Sequence, residues 1–163
     1  EAWGPVTGAL ASAPAASPNV AFGATATASF SAPYDPATEV NDMVVAFSHY
    51  SKNRWTAFGT RNAQDWVQLD LAAPRRVGSV ELYLWGDGGN VKAPRRYVIQ
   101  YWDGTAWTAA RVLSQVPLLP QVSSVNTVRI APVATSKMRI VFEHDLPAAS
   151  GMSEVIIREA ISP

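Results

Sequence analysis

The feature that most constrains this chain is an apolar period of two. In WVQLDL (66–71), Val67, Leu69 and Leu71 alternate with Trp66, Gln68 and Asp70. In VGSVELYLW (77–85), Val80, Leu82 and Leu84 alternate with Glu81, Tyr83 and Trp85. Successive side chains of a strand point to opposite faces, so each run buries one face and wets the other. RRYVIQYW (95–102) continues the pattern, and Asp103-Gly104 turns the chain tightly into AWTAARV. VNTVRIAP (125–132) and KMRIVFEH (137–144) read as two more strands. SEVIIREA (153–160) is the last, although its short apolar run also suits a helical turn. VAFGATATASF (20–30) alternates loosely, whereas residues 31–65, with the apolar run Met43–Phe47, read as a long structured loop region. No segment sustains a 3.6-residue period, and 12 Pro and 10 Gly fall between the runs. The expectation is an all-β fold of about eight antiparallel strands, a β-sandwich or jelly roll.

A chain of 163 residues can bury a core of its own in one domain. With 13 basic and 13 acidic residues it has no general electrostatic claim on nucleic acid or on an acidic membrane. No apolar run is long enough for a membrane span. The absence of Cys excludes disulfides, thiolate nucleophiles and Cys-ligated metals, and 2 His leave little material for proton-transfer catalysis. Gly8–Pro18 is small residues and proline, and reads as a linker. We therefore divide the chain into residues 1–17, a linker or the end of a preceding domain in which Trp3 is a candidate strap, and residues 18–163, the folded module. The first residues lack the basic start and apolar core of a signal peptide, so the chain reads as a piece of a longer protein or a mature product.

The ordered set NVAFGATATAS, EVND, KNRWTAFG, DWVQLDL, VGSVELYLWGDGG, YVIQYWDGTAW, NTVRI, KMRIVFE and SGMSEVIIRE resembles the discoidin-like (coagulation factor V/VIII C-type) domains of the galactose-binding-like superfamily. It is most similar to the carbohydrate-binding modules of secreted bacterial glycoside hydrolases, over roughly residues 18–160. The resemblance implies an eight-stranded antiparallel jelly roll with a sugar site in loops at one end and a structural calcium ion. It further implies a noncatalytic, extracellular module, monomeric when isolated, that targets an attached carbohydrate-active enzyme to glycans. The family's calcium ligands fall here on Asp42, Asn53 and Glu154, with backbone carbonyls near Glu39, Asn41 and Ser153. Asp42-Met43-Val44 and Asn53 depart from the usual pattern. The plainer readings are an Asx-turn for Asp42 and an exposed strand position for Glu154.

Sugars are held by aromatic faces and by forked polar groups on loops. One candidate cluster is Phe47, Ser48, His49, Tyr50, Lys52 and Arg54; a second is Trp85, Asp87, Asn90, Lys92 and Arg95. The selected site residues are His49, Tyr50, Trp85, Asp87, Asn90, Lys92 and Arg95. Tyr50 or Trp85 is expected to stack on a terminal sugar, galactose- or arabinose-like, with Asp87 and Asn90 on its hydroxyls. Lys92 or Arg95 would suit its ring oxygen or, in an acidic glycan, a carboxylate. A third cluster, Glu143, His144 and Asp145, offers no aromatic beyond it, only Leu146 and Met152. Trp55, Trp66, Trp102 and Trp107 are assigned to packing, and Arg54 to a carboxylate, that of Asp70 or of a partner. Neither G-x-S-x-G nor a phosphate loop is present, and no glycosidase-like carboxylate pair stands out, so no catalysis is expected. A structural domain packing on a catalytic domain is the alternative; the neutral charge gives a phospholipid-binding relative no support.

Overall fold

The computed structural model describes residues 17–161. Residues 1–16, and with them the strap assigned to Trp3, lie outside the described residues. Eight strands follow in order: β1 Thr25–Ala28, β2 Trp55–Thr56, β3 Gln64–Trp85, β4 Arg96–Trp102, β5 Trp107–Ala109, β6 Val112–Val116, β7 Ser124–Glu143 and β8 Gly151–Glu159. One 3-10 turn, Ala37–Asn41, lies between β1 and β2. Among the described residues no helix is long and apolar enough to cross a membrane.

The backbone of the fold is one long ribbon. β3 and β7 pair antiparallel from Gln64↔Glu143 to Leu84↔Ser124. The early half of β3 carries β1, and the late half of β7 carries β4 and then β5. The late half of β3 carries β8 and then β2, while β6 lies on the early half of β7. Val67 and Leu69 from one half of β3 and Val80, Leu82 and Leu84 from the other belong to a single packed cluster. The ribbon thus supplies both walls of a jelly-roll sandwich and encloses one core. The alternation does this: Val67, Leu69, Val80, Leu82 and Leu84 are buried, while Trp66, Gln68, Glu81 and Tyr83 are only half covered.

Two separations expected from the sequence do not exist. Segments 66–71 and 77–85 are one strand, and so are 125–132 and 137–144. Pro74 and Pro132 look like breakers, but both fall where the ladder is irregular, near register shifts at Asp70/Arg75 and Val77/Ser79. A bulge tolerates a residue that cannot donate, and it bends the strand. The last segment is a strand, Gly151–Glu159, not a helical turn.

The loops between β1 and β3, β3 and β4, β6 and β7, and β7 and β8 gather at one end. Asp65, near the start of β3, ties both ends of the β1–β3 connection to the β7–β8 loop. Its Oδ1 accepts from Ser29 Oγ at 2.7 Å and Asn62 Nδ2 at 2.8 Å, and its Oδ2 accepts from Thr60 Oγ1 at 2.7 Å. His144 Nε2 lies 2.8 Å from the same Oδ2, and both side chains are fully buried. Burial pushes this carboxyl up, but the hydrogen bonds from Asn62, His144, Ser29 and Thr60 outweigh it and hold the group below the ordinary carboxylate range.

A carboxyl held low in the native state stabilises the fold above its unfolded pKa, and that stability is lost as the pH falls through its native value. Denaturant melts at pH 7 and at about pH 3 should therefore show an acid-sensitive fold. In Asp65→Asn the neutral-pH stability should drop by about 3–5 kcal/mol. Its loss between the two pH values should also be smaller. An unchanged acid limb in Asp65→Asn would contradict this role.

Candidate functional site

At the loop end the period of two breaks. Leu84 and Trp85 are consecutive and both buried, Trp85 at 3% exposure. The indole Nε1 of Trp85 donates to the Phe47 carbonyl at 3.1 Å. The Arg54 guanidinium lies over the indole, 4.0 Å from its centre, and the His49 ring meets it edge-on at 5.7 Å. Arg54 Nη1 also donates to the carbonyls of Ser51 and of His49, the latter at 3.4 Å. Its Nε is 3.4 Å from Asp35 Oδ1, an ion pair without hydrogen-bond geometry. Asp35 is fixed in turn by Thr56 Oγ1 at 2.7 Å. The loops after residue 46 and after residue 84 therefore meet, as the sequence suggested, but Trp85 is their floor. Its faces are spent on Arg54 and His49, which corrects its assignment as a stacking platform. Arg54 pairs with Asp35, not with Asp70.

The loops of this end also carry exposed groups. Tyr50 is 96% exposed and Tyr34 79%. The Lys52 ammonium sits 5.8 Å from the centre of the Tyr34 ring. Asp87 shapes the neighbouring loop: its Oδ1 accepts from the Gly89 and Val91 amides at 2.8 and 2.9 Å. Gly88 makes that turn feasible, with φ of +77°. Burial opposes ionisation of Asp87, but the Val91 and Gly89 amides, with His49 nearby, hold its carboxyl below the usual range. Asn90 and Lys92 are exposed, and their backbones bond Ala149 of the β7–β8 loop. Arg95 is exposed at the start of β4, its amide donating to the Glu143 carbonyl at 2.8 Å. The contacts join His49 and Trp85, with the Asp87 turn following directly on Trp85; Tyr50 and Arg95 share only the end of the sandwich with them. Tyr34 and Asp35 escaped sequence reasoning because they lie in an aperiodic stretch, and nothing local couples residue 35 to residue 54.

The expected metal ligands sit beside this end. Asp42 Oδ1 accepts from the Val44 amide at 2.9 Å, so the Asx-turn is made. Its Oδ2 takes Asn53 Nδ2 at 3.2 Å, and the same amide reaches Glu39 Oε2 at 3.5 Å. Glu154 is fully buried, not an exposed strand residue. Its Oε1 accepts from the Val155 amide at 3.2 Å, while its Oε2 has no partner. Burial, then the Asp42 charge, push its carboxyl up to about 8. Among the described residues no three His, Cys, Asp or Glu side chains converge on one metal position. The donors are nonetheless all oxygen, and a buried carboxylate with an orphaned oxygen near a second carboxylate fits a hard divalent cation. Asn53 now turns its NH₂ toward the two acids; to ligate, it would present its oxygen.

Ser150 Oγ, His144 and Asp65 form a hydrogen-bonded series, with His144 Nδ1 2.8 Å from Ser150 Oγ. The order is that of a hydrolase triad. All three are buried, Ser150 at 0% and His144 at 2%. Of the third cluster, His144 pairs with Asp65 and Glu143 with Arg96. Trp55 packs in the core, 5.3 Å from Phe142. Trp66, Trp102 and Trp107 are half exposed on an outer face, where Arg139 lies between Trp66 and Trp107 at 3.9 and 4.1 Å.

Residues 40–140 match the family model of NedA-like, galactose-binding domains of the F5/F8 C type. The chain belongs to that family. Solved structures share the fold. One from the Streptococcus pneumoniae beta-galactosidase BgaA superposes with a TM-score of 0.81 at 23% identity, covering 88% of this chain and 99% of that one. The family 32 carbohydrate-binding module of Clostridium perfringens NanJ, solved with galactose, gives 0.67 at 18% identity, covering 83% and 93%. The lectin domain of lectinolysin, solved with Lewis b antigen, gives 0.68 at 17%, covering 90% and 100%. Within this family fold, Trp85 closes the core beneath the loops. Trp85→Ala should cost about 3–5 kcal/mol in urea denaturation. A loss of ligand binding with unchanged stability would restore Trp85 to the surface role.

Proposed function

We propose that this domain is a noncatalytic carbohydrate-binding module, an extracellular accessory unit that holds an attached carbohydrate-active enzyme on glycans. The observation that carries the reading is the preorganised loop end. Trp85, Arg54 and His49 lock the 47–54 loop, so Tyr50 and the Asp87–Lys92 turn are presented with little ordering left to do on binding. Tyr50 stacks on the C–H face of a terminal sugar. Asp87 Oδ2 and the Asn90 amide take its hydroxyls. The family's galactose binding and the ligands of the NanJ and lectinolysin structures support a terminal galactose-like residue. The burial of Ser150, His144 and Asp65 supports the absence of catalysis. The isolated domain is taken as a monomer in this reading.

We further propose that a calcium ion is held by Asp42 and Glu154 with the Asn53 amide oxygen. When bound it neutralises the buried Glu154 and links the 42–53 loop to β8. Glu154 accepts the ion as a carboxylate, and Ser153 Oγ, donating to the Asn53 carbonyl at 3.0 Å, positions the loop strand that carries Asn53.

Calorimetric titration with galactose should give a dissociation constant of about 10⁻⁴–10⁻³ M, roughly −4 to −5.5 kcal/mol. Tyr50→Ala should weaken it at least tenfold without moving the melting temperature, and no glycoside should be turned over. In the same preparation, chelator should lower the melting temperature and calcium should restore it. Glu154→Gln should abolish that response and, in chelator, melt no lower than the wild-type chain, because without the ion the buried carboxyl, pushed up to about 8, is already largely protonated at neutral pH and the amide replaces one neutral group by another. Hydrolysis that tracks the pure domain would refute the noncatalytic reading. A melt indifferent to exhaustive chelation would refute the ion.

A further inference from the structure

The loop that carries Tyr50 is closed at its base by one buried hydroxyl. Ser153, fully buried in β8, accepts from the Ala46 amide at 2.8 Å and donates to the Asn53 carbonyl at 3.0 Å. Residues 46 and 53 flank the 47–52 loop, so the loop departs from and returns to the same Oγ. Its tip is held separately, by Arg54 Nη1 on the carbonyls of Ser51 and His49. Within the loop the Tyr50 amide donates to Ser48 Oγ at 3.1 Å.

This base is shared with the ion site. Asn53 spends its carbonyl on Ser153, and its side chain lies between Ser51 and the acids. Asn53 Oδ1 accepts from Ser51 Oγ at 3.0 Å, and its Nδ2 donates to Asp42 Oδ2 at 3.2 Å. Glu154, with its orphaned Oε2, follows Ser153 directly. Turning the Asn53 oxygen toward a cation puts Nδ2 beside Ser51. A hydroxyl accepts as well as donates, so the bond to Ser51 survives with its direction reversed. The acids that hold the NH₂ would then hold the ion, and residue 53 would be fastened to β8 twice. We propose that the ion site and the sugar loop are coupled through Asn53, with Ser153 as the positioning residue, so that calcium strengthens sugar binding. This rests on the readings of the loop end as a sugar site and of Asp42, Asn53 and Glu154 as an ion site. The sign follows from ordering: a base fixed before the sugar arrives leaves less freedom to lose on binding. Linkage is reciprocal, so sugar strengthens calcium binding by the same factor.

Galactose titrated into the full chain should bind about fivefold tighter in saturating calcium than in chelator. Calcium titrated into the galactose-saturated chain should gain the same factor. With no sugar present, the 47–52 amides should gain protection from hydrogen exchange when calcium is added. Glu154→Gln should bind galactose as the wild-type chain does in chelator, with or without calcium. Ser153→Ala should keep its calcium-dependent melting and lose the calcium effect on galactose affinity. Full coupling in that variant would overturn the role of Ser153; if the variant does not fold, the wild-type and Glu154→Gln titrations decide the coupling. Equal galactose affinities, with calcium shown to be bound by calorimetry, would overturn the coupling and leave both sites standing. Calcium that does not bind would overturn the ion site and the coupling together. Galactose that binds in neither condition would overturn the sugar site and the coupling together.

Discussion

Everything at the functional end hangs on the pairing of β3 with β7. The two strands span 22 and 20 residues and share one ladder from Gln64 to Leu84. A ribbon this long buries its apolar face only by bending, and the irregularities near Pro74 and Pro132 permit the bend. Once bent, it sets Asp65 at one end of β3 and Trp85 at the other, both at the same end of the sandwich. Asp65 gathers the loops through hydrogen bonds, and Trp85 floors them with an indole. The site is therefore a by-product of the ribbon's register: a one-residue slip would turn Val67, Leu69, Val80 and Leu82 to solvent and move both anchors.

Rigidity is the second consequence. A small contact with a sugar leaves little free energy to spend on ordering loops. Here the ordering is done beforehand. Arg54 lies on Trp85, bonds the carbonyls of Ser51 and His49, and faces Asp35, so one side chain pins three segments. Asp87 does the same for its own turn with two amide bonds. What remains exposed, Tyr50, Tyr34, Lys52, Asn90 and Lys92, stands on a fixed base.

The strands were legible because their periodicity follows from burying one face. Val67, Leu69, Val80, Leu82 and Leu84 all fall where the alternation puts them. The fusion of segments into long strands was not legible, because proline reads as a breaker unless the bulge that accommodates it is known. The meeting of the 47–54 and 86–92 loops followed from jelly-roll connectivity. The role of Trp85 did not: alternation places it outward, and only the loop folded over it makes it core. Glu154 is a similar case, an outward position of β8 that the 42–46 segment covers. Tyr34, Asp35 and the partner of Arg54 were invisible because their contacts bridge residues far apart in an aperiodic stretch.

The central claim is that the loop end, preorganised over Trp85 by Arg54, is where a glycan binds. Backbone amide NMR with galactose added to the full chain tests it most directly. The account predicts saturable shifts confined to residues 48–52 and 87–92, with those loop amides already protected from hydrogen exchange in the free protein. Shifts centred on the opposite end of the sandwich or on the outer face at Trp66, Trp107 and Arg139 would contradict it. So would loop amides that gain protection only when the sugar is added.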